Sequence, residues 1–138
     1  MPLERHTDTL PKRVLDLAAE VKEDLELSEL NLSQKGLACA GIKCKWQQIY
    51  CEEKSYLNSL LDEEGKLTEE YIKAHGRENV PRRASDKEAE SNVKISELRK
   101  KIKEQRTVVE YMDGIVNITR GLNYDIRNCL DLVKLENG

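Results

Sequence analysis

The stretch Ile95–Val133, ISELRKKIKEQRTVVEYMDGIVNITRGLNYDIRNCLDLV, decides how this chain folds. Ile95, Leu98, Ile102, Gln105, Val109, Met112, Val116, Thr119, Asn123, Ile126, Leu130 and Val133 recur at alternating three- and four-residue steps, the spacing of heptad a and d sites. Nine of these twelve residues are apolar, which makes the pattern a helical seam rather than a coincidence of composition. A second stripe runs beside it through Val108, Tyr111, Ile115, Ile118, Leu122, Asp125, Cys129 and Leu132. Two adjacent seams are too much apolar surface for a simple two-stranded coil. A helix carrying both can meet a neighbour on each side.

The expected fold is therefore all-α: an elongated helical subunit with a long, heptad-patterned C-terminal helix in residues 85–138, closing into a ring-like homo-oligomer. The residues expected at the interface are Ile102, Val109, Met112, Ile115, Val116, Leu122, Ile126, Leu130 and Val133. The heptad phase continues across Gly121, which argues for one helix, bent near Thr119 to Asn123 where two polar seam residues cluster. A buried Asn123 would fix register at some cost in stability.

Composition agrees. The chain of 138 residues has no Phe, 4% aromatic and 36% charged residues, a balance that suits long solvated helices better than a large core. A chain this short buries a low fraction of its surface, so assembly is a natural source of stability, with a monomeric helical bundle as the competing reading. The net charge of −3, from 26 acidic and 23 basic residues, supplies no bulk positive field. Nucleic-acid binding would have to rest on a local patch or on a ring of subunits. Two basic clusters exist: Arg77, Arg82 and Arg83; and Arg99, Lys100, Lys101, Lys103 and Arg106. The ordinary meaning of a cluster on a helix is a solvated face.

Cys39, Cys44, Cys51 and Cys129 form no CxxC pair, and neither His6 nor His75 has metal-ligand spacing to them, so no metal is expected. Residues 1–9 form a polar tail without a signal-like apolar core, and no apolar run is long enough for a membrane span. The thiols then read as reduced, in a cytoplasmic protein.

Upstream of the seam, residues 10–84 read as an N-terminal helical region. A first helix should start near Pro11 and bury Val14, Leu17 and Val21, with a connection at residues 28–33. A second, from about Gln34 to about Asp62, carries Cys39, Ile42, Trp46, Ile49, Tyr56 and Leu60 on one stripe. Gly36 and Gly41 weaken that helix or permit close approach of another. Trp46 has two readings, core packing or base stacking. Gly65 punctuates the chain, and a short helix capped by Thr68 should end at Gly76, before an exposed arginine-bearing loop at residues 76–84.

No catalytic constellation is present. There is no phosphate-binding glycine loop, no nucleophile with a partner base, and the carboxylates alternate with lysines as solvating charge. An enzyme is not expected, and no cofactor. Two classes remain, a nucleic-acid-binding assembly and an oligomeric scaffold that binds only protein partners.

The order of residues adds to this. Asp16-Leu17-x-x-Glu20-Val21-Lys22-x-Asp24, followed by Lys45-Trp46, resembles the N-terminal half of the UvsY-like recombination mediators of T4-like phages. Tyr124-Asp125-Ile126-Arg127-Asn128, Asp131 and the ending Leu135-Glu136-Asn137-Gly138 resemble that family's terminus. The resemblance runs from about Asp16 to Gly138 and is thin between Glu52 and Glu90. It implies single-stranded-DNA binding by a ring-like homo-oligomer of six or seven subunits, in recombination and repair in an infected cell. It also implies contact with a RecA-like recombinase and a single-strand-binding protein, the first being helped to replace the second, without a cofactor.

The family's basic, tyrosine-containing stretch corresponds to residues 66–76 here, but Thr68 and Glu70 stand where positive charge is expected. The DNA-binding residues this leaves are Lys66, Lys73, Arg77, Arg82 and Arg83, with Tyr71 as a stacking platform.

Overall fold

One helix organises the molecule. In the computed structural model, which describes residues 10–75 and 92–137, helix α2 (Leu32–His75) runs for 44 residues, about 66 Å at the usual helical rise. Helix α1 (Lys12–Leu25) packs beside its N-terminal part, and α3 (Val93–Arg120) and α4 (Leu122–Asn137) return along it. All regular structure among the described residues is helical. The antiparallel return is fixed by contacts at both ends. Arg99 Nε meets Glu64 Oε1 at 3.1 Å, and Lys43 Nζ donates to Asn123 Oδ1 at 3.4 Å.

Short polar residues set the helix ends. The Pro11 carbonyl accepts from Val14 and Leu15, so α1 starts where proline's missing N–H costs nothing. Between α1 and α2, Asn31 Oδ1 accepts from the Ser28 amide at 2.8 Å while its Nδ2 donates to the Glu26 carbonyl at 3.0 Å. Lys35 Nζ donates to the carbonyls of Glu23 and Asp24, placing a cation at the negative end of α1. Asn92 Oδ1 accepts from the amides of Lys94 and Ile95 and caps α3. Gly121 separates α3 from α4, its amide bonded to the Ile118 carbonyl at 3.1 Å, so the single helix expected across Gly121 is in fact two, parted where the bend was expected.

Two expectations need correction. Helix α2 does not stop near Asp62, and Gly65 does not punctuate it: the helix passes through to His75. Thr68 is accordingly no cap but a mid-helix residue, 8% exposed, whose hydroxyl has no hydrogen-bond partner among the described residues. Gly65 has open space around its Cα, and one glycine costs a helix only about 1 kcal/mol. Flanking turns that bury Leu60 and Thr68 offset that cost. Close approach holds for Gly36 alone of the two glycines singled out, since a Cβ there would meet Ile126 Cγ2 at 3.8 Å whereas Gly41 faces nothing within 4 Å.

The core divides in two. Val14, Leu17 and Val21 of α1, Cys39, Ile42 and Trp46 of α2, Val108, Met112 and Ile115 of α3, and Leu122 and Ile126 of α4 form one cluster. Leu60, Leu98 and Ile102 form a smaller one between α2 and α3 alone. The buried face of α3 and α4 lies between the two stripes. It takes Val108, Ile115 and Leu122 from one and Met112, Val116, Thr119 and Ile126 from the other. Residues from both sides of the expected 84/85 boundary share this core, and the boundary itself lies outside the described residues.

Candidate nucleic-acid interface

The groove flanking the smaller cluster carries the positive charge. Arg99, Lys103 and Arg106 of α3 line it with Leu61, Glu64, Ile102, Thr107 and Glu110, around an open volume of about 500 Å3. Arg99 and Glu64 are paired across it, each side chain 30% exposed or less. A second groove, on the other side of Leu61, is lined by Asp62, Gly65, Lys66, Glu69, Glu70 and Lys73 of α2. Leu61 lines both, so the two are neighbours.

Helix geometry explains which residues reach these surfaces. Arg99, Lys103 and Arg106 fall at i, i+4 and i+7, one stripe beside the buried Leu98, Ile102 and Gln105. Gln105 is held by its amide, which donates to the Glu53 carbonyl and to Glu53 Oε2 at 2.9 and 2.7 Å. Glu53 also accepts from Arg13 Nε at 2.8 Å, so a half-buried carboxylate ties α1, α2 and α3 together. That makes Gln105 a register device inside the seam.

Of the residues expected to contact DNA, Lys66 and Lys73 are exposed and share one groove, where Asp62, Glu69 and Glu70 outnumber them. Tyr71 is half-buried and engaged within the chain, which removes part of its ring from the surface. Arg77, Arg82 and Arg83 lie outside the described residues.

The expected interface residues divide as well. Ile102, Met112, Ile115, Val116, Leu122 and Ile126 are buried within the subunit, while Val109 and Val133 are half-buried and Leu130 is exposed. Apolar surface is open at the far end of α4 and the turn beside it, as well as at Leu37 and Ile118. Leu132 is 60% and Leu135 79% exposed, and Leu27, Leu32, Cys129, Leu132 and Val133 line a shallow groove rimmed by Ser28, Glu29 and Glu136, with Leu30 exposed nearby.

Four residues of the N-terminal motif, Glu20, Asp24, Lys45 and Trp46, converge in space. Trp46 is fully buried, and its Nε1 donates to Asp24 Oδ2 at 2.9 Å. Lys45 Nζ meets the same oxygen at 2.8 Å and Glu20 Oε1 at 2.6 Å, and lies 5.0 Å from the Trp46 ring. Burial lowers the Lys45 pKa, but hydrogen bonds and charge from Asp24 and Glu20 outweigh this and hold it above the ordinary 10.5. This clasp fastens α1 to α2, so Trp46 is a core residue and not a base-stacking platform. Sequence reading missed Asp24 as its partner. The signal available was a carboxylate one turn beyond Glu20, opposite the only indole in the chain.

Comparison with solved structures then gives a match over nearly the whole length. The crystal structure of the bacteriophage T4 recombination mediator protein UvsY superposes with a TM-score of 0.76, covering 89% of this chain and 98% of that one. The two chains share a fold. Their sequences are 12% identical, so the likeness lies in helix order and packing. No family model and no curated protein matches the chain. Among the described residues no helix is long and apolar enough to cross a membrane, and no group of three or more His, Cys, Asp or Glu is placed to hold a metal ion.

Proposed function

We propose that this chain is a recombination mediator. It binds single-stranded DNA as a homo-oligomer and helps a RecA-like recombinase replace single-strand-binding protein on that DNA, in homologous recombination and repair in the cytoplasm of an infected cell. The fold likeness to the T4 mediator, over 89% of this chain and 98% of that one, is the observation that carries this reading. The exposed leucines of α4 and the cations of α3 are consistent with it: the first are apolar surface left for a neighbouring subunit, the second positive surface for phosphates. A ring multiplies a modest set of cations per subunit into many phosphate contacts.

The test is the mass of the native assembly with and without a single-stranded oligonucleotide. We expect a closed multiple of the 15.9 kDa subunit, with six or seven copies as the resemblance implies, and oligonucleotide binding that weakens steeply with salt. A stable assembly that binds no oligonucleotide at low salt would point instead to a scaffold for protein partners. A monomer that binds none would overturn both readings. The assembly surface has its own variant. Leu132→Asp with Leu135→Asp should lower the mass while leaving helix content intact, whereas Ile126→Asp or Val116→Asp places a charge in the subunit's own core and should unfold it.

A further inference from the structure

Resting on that reading, the geometry points to a specific DNA-contacting surface: the flank of α3 formed by Lys100, Lys103 and Arg106, rather than the α2 face that bears Lys66 and Lys73. Three observations carry this.

The first is local charge. Residues 99–106 of α3 hold five cations and a single carboxylate, Glu104. In the α3 groove, Glu64 is committed to Arg99, which leaves Lys103 and Arg106 over Glu110. In the α2 groove, Lys66 and Lys73 face Asp62, Glu69 and Glu70, a net negative surface. A phosphate backbone approaching this end of the molecule is attracted to one groove and repelled by its neighbour across Leu61.

The second is availability. Lys100, Lys103 and Arg106 are exposed, and no ion pair among the described residues engages them. Spaced at i, i+3 and i+6, they climb the helix in steps of about 60° and about 4.5 Å. The three charges therefore form a short track across the helix and not a single point.

The third is the lining. The α3 groove contains no aromatic side chain, so it offers no ring on which a base would stack. The contacts these lysines and arginines make to phosphates position the strand and carry no sequence information. The strand is held by its backbone, with the bases left outward and accessible to another protein.

The test uses the full-length protein and a labelled oligothymidine, with binding followed by fluorescence anisotropy across a salt series. The triple variant Lys100→Gln, Lys103→Gln, Arg106→Gln should bind on the order of tenfold or more weakly at low salt. Its slope of log affinity against log salt should be shallower by roughly 2, since each single-strand phosphate contact contributes about 0.7. The charge-preserving triple Lys100→Arg, Lys103→Arg, Arg106→Lys should bind as the parent does, which separates loss of charge from loss of fold. Lys66→Gln with Lys73→Gln should leave the slope unchanged. If the parent binds and the Gln triple keeps its slope, the surface assignment is wrong while the mediator reading stands. A slope lost only in the Lys66, Lys73 variant places the strand on α2 and overturns the assignment likewise. If the parent binds no oligonucleotide, both fall; should the same triple then lose capture of a polyglutamate peptide, the surface belongs to an acidic protein segment.

Discussion

The two ends of α2 bury very different amounts of their surroundings. Around Trp46, four helices converge, and Leu17, Trp46, Val108 and Met112 are all essentially inaccessible. Around Leu60, among the described residues, α2 and α3 alone meet, with three buried residues fringed by the half-buried Leu57, Leu61 and Leu67. The first end also holds the Asp24–Lys45–Glu20 clasp, while the second holds the Arg99–Glu64 bridge. One helix thus serves as core at one end and as a platform for charge at the other. The end with little to bury is the end with charged grooves, because a two-helix ribbon leaves most of each helix in water.

Truncating one large residue at each end tests this contrast most strongly. Trp46→Ala should cost about 3–5 kcal/mol, since it empties a fully buried site that four helices enclose. Leu60→Ala should cost about 2 kcal/mol, at the low end for a buried leucine, because an open pair of helices can close over the gap. Denaturant unfolding followed by far-UV circular dichroism measures both, as the first variant removes the sole tryptophan. Equal losses would mean that the Leu60 end is as well packed as the other.

Polar contacts should show the same asymmetry on a smaller scale. Asp24→Ala leaves the Trp46 indole N–H buried without an acceptor, which costs about 2 kcal/mol. Glu64→Ala breaks a partly solvated pair at the open end and should cost about 0.5 kcal/mol or less. A Glu64 variant as damaging as Asp24→Ala would place the Arg99 bridge among the structural elements and remove it from the binding groove.

These contrasts mark how far the sequence could be read. Periodicity found the helices, because apolar spacing reports burial whether the partner is the same chain or another. For that same reason it assigned Met112, Ile115 and Ile126 to a subunit interface when the chain's own α2 already covers them. Two stripes side by side were one wide face that packs against the subunit's other helices. Gly65 misled in the opposite direction: local propensity favoured a break, and burial on either side of it carried α2 through. The place of the bend at Gly121 was legible because glycine and polar seam residues coincide there, but the unbroken heptad phase hid that the helix parts in two. The acidic balance around Lys66 and Lys73 was legible too, since Asp62, Glu69 and Glu70 stand within a turn of them on the same helix. What needed the fold was the pairing of Glu64 with Arg99, which the antiparallel return of α3 brings together.

Alkaline pH offers the mildest way to probe the two ends separately. Burial pushes the Tyr111 hydroxyl above its ordinary value of 10.0, and Lys45 is held above 10.5 because its hydrogen bonds and neighbouring charges outweigh burial. Both groups sit at the Trp46 end, Tyr111 packed against its core and Lys45 in the clasp. Each binds its proton more tightly folded than unfolded. The stability they contribute is complete below those ordinary values and is lost as pH rises through the higher folded ones. The folded protein should therefore weaken from about pH 10 upward, with Trp46 emission shifting to the red before helix content falls. Tyr111→Phe should flatten the dependence of Tm on pH in that range, since phenylalanine has no proton to lose. A Tyr111→Phe chain whose Tm falls as steeply as the parent's would assign the alkaline sensitivity to Lys45 and the clasp alone.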